Sequence, residues 1–320
     1  MRAGAHCGLA AVLLFGARGV LHSQATDTRA DSMLRDGAIG RAESLYYAAA
    51  RARPRDPEAR WQLGRYLISR GALRVGATLV EEAVRFGLDP RVGAATLAPV
   101  YLQVGEYHQL ATLAGSALTS AEVARARWLV EHPPRVVAPD SLIAVSYRPA
   151  ATPSAIGTVS IRVNGRAVDA VISPRVHGLV VSDTNALATQ LRRFSPGVFS
   201  TPRGLPAVAD SMTIGRLSLA NAPITVASGI DAPALLGLDV FYSYAPTFDP
   251  RSRRVLLHPT GISSVLPASA AVLQTLAVEN DLLVARGGGW ASVTSTLLAP
   301  TLRDHRWTVD FKRGRIVVEP

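Results

Sequence analysis

The residues best able to do chemistry in this 320-residue chain crowd into one short stretch, Ser173-Pro174-Arg175-Val176-His177-Gly178. Ser173 and His177 would make a nucleophile and its base if an acid oriented the histidine. Neither an acidic partner nor a strained elbow is evident nearby, so a loop histidine facing solvent is the plainer reading. Arg175 with Arg166 offers a different use, a pair of guanidinium groups able to accept an anion. Asp183-Thr184-Asn185 places a carboxylate after an apolar pair and a serine. The histidines at 6, 22, 108, 132, 177, 258 and 305 never fall at metal-ligand spacing, so no metal and no cofactor is expected. Gly287-Gly288-Gly289 reads as a flexible turn, since neither a Lys-Ser/Thr pair nor a helix start follows it.

The chain is long enough for two modest domains, and 48% apolar against 18% charged residues suits a folded protein. Its formal charge of +10 is almost all arginine, Lys312 being the sole lysine. The basic residues are dispersed, with no run of five or six, which excludes a nucleic-acid-binding tail. Residues 1–25 read as a secretory signal peptide: Arg2, an apolar stretch over 7–17, then Ser23-Gln24-Ala25 as small residues for cleavage. The run is too short to span a bilayer, so the mature chain is expected without a transmembrane span, exported to the periplasm or the extracellular space. An uncleaved anchor is the alternative. The single cysteine, Cys7, lies in the leader, so the mature chain has no disulfide or thiol chemistry.

Residues 26–130 carry helical patterning, and Gly37, Gly71 and Gly105 recur every 34 residues, the period of a helix–turn–helix repeat. With Ala42, Tyr46, Ala49, Pro54, Leu63-Gly64, Ala83, Ala98, Tyr101 and Ala117 they resemble tetratricopeptide repeats. Gly76, Leu88 and Leu110 depart from that pattern. The expectation is a three-repeat α-solenoid with a concave face for a peptide. Prolines crowd a linker at 131–155. Short β-type runs follow, beginning with Val159-Ser160-Ile161-Arg162-Val163 and an Asn164-Gly165 hairpin turn, and imply a barrel or sandwich.

Four stretches within 158–258 together resemble the retropepsin-like family of aspartic proteases. They are Val163-Asn164-Gly165 through Ile172, Gly178-Leu179-Val180-Val181-Ser182, Asp210 through Val226, and Leu235-Leu236-Gly237-Leu238-Asp239-Val240-Phe241. The resemblance implies a multidomain α + β chain: the helical array, then a mainly β acid-protease barrel over 156–258, then a C-terminal β extension over 259–320. It also implies that an Asp-Thr-Gly triplet should stand in the loop after Ile172, because the family shares one proton between two such aspartates. Here the triplet reads Ser173-Pro174-Arg175, and a serine hydroxyl cannot hold that proton.

The expected function is therefore a pseudoenzyme that binds a peptide or protein without cutting it. Its cleft would be lined by Ser173, Arg175, His177, Gly178 and Gly237, with Pro174 between the first two. The alternative is an active endopeptidase using an atypical aspartate, Asp183. The simpler role for Asp183 is to cap a helix over 184–193. Asp239 and Asp249 are expected as helix or turn residues. Single-lobe relatives dimerise to complete their site; a chain without catalysis has no such need, or its tail covers the dimer edge. Within that tail 308–318 aligns without gaps on 247–257. The alignment suits either the remnant of a second lobe or a convergent hairpin motif, the latter preferred.

Overall fold

The computed structural model describes residues 29–113, 118–137, 141–150, 155–194, 204–259, 269–278, 281–286, 289–293 and 304–319. The leader and Cys7 lie outside these residues, as do Gly287 and Gly288.

Helices occupy the first part of the chain: α1 Arg29–Arg35, α2 Ile39–Ala52, α3 Pro57–Ser69, α4 Leu73–Arg85, α5 Pro90–Val104, α6 Tyr107–Thr112 and α7 Ser120–Glu131. Their starts are written in the sequence. Asp56 accepts the Glu58 and Ala59 amides with Pro57 in the first turn, Asp89 does the same for Arg91 before Pro90, and Thr119 with Glu122 forms a capping box.

The expected α-solenoid is not what these helices build. They are short, from 6 to 15 residues, and uneven. An eighth, α8 Asp183–Ala188, lies within the β region. Their apolar faces fill two separate clusters, one around Tyr46 and Tyr66 and one around Val80, Leu97 and Tyr101. They also dock on the strands: Arg125 of α7 is buried and donates to the Ile224 carbonyl (3.0 Å), and burial pulls its pKa down to about 10. The periodic glycines do make left-handed turns between helices, with φ of 74°, 86° and 80°. Spacing thus fixed where the turns fall, while a regular stack requires helices of matched length, which α6 breaks.

The β-barrel that the resemblance implies is present. Its strands are β3 Gly157–Val163, β4 Arg166–Ser173, β5 Leu179–Ser182, β7 Leu205–Ile214, β8 Leu217–Ala227 and β9 Ala234–Gly237. In the order β3-β4-β9-β5-β8-β7 they close on themselves, β7 returning to β3 through Arg162↔Thr213 and Val163↔Met212. The β4–β9 and β5–β8 pairs are parallel and the others antiparallel. Alternation along β3 and β4 sends Val159, Ile161, Val163, Val168, Ala170 and Ile172 inward. The two-residue β6 Arg192–Arg193 pairs with β7 where a helix over 184–193 was expected; the helix ends at Ala188.

The stretch expected as a linker contains β1 Arg135–Val137, paired with β8, and β2 Ile143–Pro149, paired with β3. Ile143, Val145 and Tyr147 are buried there, so apolar alternation prevails over the nearby prolines. From β2 the sheet continues through β11 Arg254–His258, β10 Ala245–Asp249, β15 Arg306–Asp310, β16 Arg315–Glu319, β12 Ala271–Val278, β13 Asp281–Arg286 and β14 Gly289–Ser292. Among the described residues no helix is long and apolar enough to cross a membrane.

Candidate functional site

Two strands frame the loop 174–178. Ser173 ends β4 opposite Gly237 in the parallel β4–β9 pair, while Leu179 opens β5 opposite Leu236. The Gly237 amide donates to the Gly178 carbonyl at 2.7 Å and closes the loop on β9. A methyl group at Gly237 would collide with the Val176 carbonyl and the Asp239 carboxylate, and would come within 2.9 Å of the Gly178 nitrogen. Glycine there lets the loop backbone lie against the strand end.

Ser173 is 7% exposed, and its Oγ accepts the Arg175 amide at 3.2 Å. The hydroxyl is thereby turned onto its own loop, a local bond of the kind serine makes in turns. Asp239 sits in the first turn of the 3₁₀ segment Leu238–Phe241. Both of its oxygens accept the Gly178 amide, at 2.9 and 3.0 Å. His177 Nδ1 lies 3.6 Å from Asp239 Oδ2, with the histidine side chain 55% and the aspartate 19% exposed. The loop therefore does have an acidic neighbour, which sequence reasoning missed by treating Asp239 as a helix or turn residue only. The signal was Gly237-Leu238-Asp239, since parallel pairing of Gly237 with Ser173 carries the residue two positions on to the loop.

Asp183 is elsewhere. Because β5 runs antiparallel to β9, with Leu179↔Leu236 and Val181↔Ala234, Ser182 and Asp183 leave β5 at the end away from Gly178. The N-cap of α8 is Ser182, whose hydroxyl accepts the Asn185 amide at 3.3 Å, so the expected cap shifts by one residue. Asp183 stands in the first helical turn and accepts the Thr184 amide at 2.8 Å. Arg166 and Arg175 do not form an anion-accepting pair across the loop. Arg166 begins β4 and Arg175 lies beyond its end, with seven strand steps of about 3.3 Å each between Arg166 and Ser173. Asp249 takes its expected turn role, accepting the Ser252 amide at 3.0 Å. Among the described residues no three His, Cys, Asp or Glu side chains group as metal ligands do.

No protein-family model matches the chain, and no curated protein matches it. Among solved structures it is similar to the crystal structure of a retropepsin-like aspartic protease from Rickettsia conorii, at 13% identity and a TM-score of 0.28, over 39% of this chain and 91% of that one. The barrel order and the placement of the loop described above stand on strand registers alone.

Proposed function

We propose that the barrel is a non-catalytic peptide- or protein-binding module of an exported chain, with the face around loop 174–178 as its contact surface. The observation that carries this reading is Ser173 at the end of β4, with its hydroxyl engaged by the Arg175 amide where paired-acid hydrolysis would need a carboxylate. Asp239, the acid beside the loop, holds the Gly178 amide with both oxygens. Asp183 belongs to the far end of β5. Arg175 and His177 are exposed on this face, where an acidic or polar segment would meet them. Export rests on the leader-like pattern of residues 1–25.

A second reading, weak hydrolysis through His177 and Asp239, has their 3.6 Å approach in its favour. One experiment separates the two. The purified chain is offered a mixed peptide library and a denatured protein from pH 4 to 7, and both retention and cleavage are scored. Retention without cleavage, weakened by Arg175→Ala, is the expected result. Cleavage abolished by His177→Ala, a substitution at an exposed side chain, would establish the second reading instead. Neither retention nor cleavage would remove both.

A further inference from the structure

Outward from the β10–β15 pair, the sheet has the same order on both sides. One side runs β10-β11-β2-β3-β4 and the other β15-β16-β12-β13-β14. The two central hairpins, which align without gaps in sequence, meet at Thr247↔Thr308. These two threonines are aligned counterparts, 61 positions apart, and their hydroxyls lie 2.7 Å from each other in the core. A residue paired with its own counterpart lies on a local two-fold axis.

The same relation governs the turns. Asp249 accepts the Ser252 amide and its counterpart Asp310 accepts the Arg313 amide, at 3.0 and 3.3 Å. Arg253 and its counterpart Gly314 both adopt φ of 55°. Their carbonyls accept the Tyr147 and Thr275 amides, both at 2.9 Å. The match continues into the outer strands. Arg254 pairs with Ser146 as Arg315 pairs with Gln274, and Tyr147 with Val159 as Thr275 with Val284. Val159 then pairs with Ala170 as Val284 pairs with Ala291. The preferred expectation of a convergent hairpin does not account for a register kept through three further strands. The halves diverge after that point, 293–305 standing where the first half has 174–244.

We propose that β12–β16 are a shortened internal copy of β2–β4 and β10–β11, and that this copy occupies the two-fold position on β10 that a second chain would otherwise take. A strand has two hydrogen-bonding edges, and β10 spends them on β11 and β15. Phe248 and Trp307 seal the junction, both buried, with rings stacked at 4.1 Å. The second edge of β10 is thus filled by the chain's own C-terminal strands, and the partner it fits is internal.

Thr247→Cys and Thr308→Cys, singly and together in a Cys7→Ser background, test this under mild oxidation. Facing residues of antiparallel strands are close enough for a disulfide. The double variant should form an intrachain disulfide and run as a monomer, while each single variant stays a reduced monomer. A covalent dimer of Thr247→Cys alone would mean that β10 meets β10 of a second chain, and would overturn the proposal. A covalent dimer of the double variant, or a folded double variant that forms no disulfide, would do the same. Sedimentation velocity of the unaltered chain decides the matter even if the variants do not fold: one monomeric species is expected, and a stable dimer would refute self-pairing.

Discussion

At Gly237 a single methyl group decides whether loop 174–178 can lie on β9. An added Cβ meets backbone and a carboxylate, neither of which can move without opening the loop. Gly237→Ala should therefore cost about 1–3 kcal/mol, as overpacked sites do, read as a lowered urea midpoint. Asp239→Ala should release the Gly178 amide, at about 1.5–3 kcal/mol for a bond to a charged acceptor. Hydrogen exchange across 174–178 should then speed up while the barrel strands stay protected. Unchanged exchange would mean that the aspartate does not hold the loop.

At the scale of elements, the α3–α4 turn forms one of the junctions between helices and sheet. Arg70 donates to the carbonyls of Thr275 and Gly314 and to the Gln274 side chain, and the Tyr242 hydroxyl donates to the Gly71 carbonyl. The guanidinium fork serves several acceptors at once, which an ammonium cannot. Arg70→Ala should cost about 1–2 kcal/mol and expose the α3–α4 turn to limited proteolysis. Arg70→Lys should recover only part of that. Full recovery by lysine would mean that charge, rather than the fork, secures the junction.

For the whole molecule, acidity should act through the central sheet. Burial, then the nearby Arg306, holds His258 below its ordinary 6.5, with Glu319 opposing. For Asp249 burial alone would push the carboxyl up, but the Ser252 amide and hydroxyl, Arg306 and the Arg251 amide outweigh it and bring it below 3.8. Both groups bind protons more readily in the unfolded chain, so stability falls as pH falls. The His258 contribution is complete above about pH 6.5 and is lost as pH drops through its lower folded value; that of Asp249 is lost only in stronger acid. Melting temperature should decline from pH 8 to 5, and His258→Gln should flatten that decline. An equal slope in the variant would place the titration elsewhere.

Much was legible locally. Asn164-Gly165 announced a hairpin and the alternation of Val159 through Val163 the inward face of β3, while the caps at Asp56, Asp89 and Thr119, equally local, came to light with the helices themselves. These depend on bonds and side-chain directions within a few residues, which sequence specifies directly. Ser173-Pro174-Arg175 likewise showed from its residue types alone that no acid follows Ile172. What the tertiary structure decided depends on distant segments. It brought Asp239 to His177 through β4–β9 pairing, sent Asp183 to the other end of β5, and broke the expected solenoid by docking uneven helices on the sheet. It also set Thr308 against Thr247. The gapless match of the two hairpins was visible in sequence, but the axis between them exists only once both strands share an edge, because register belongs to a pair of strands and to neither alone.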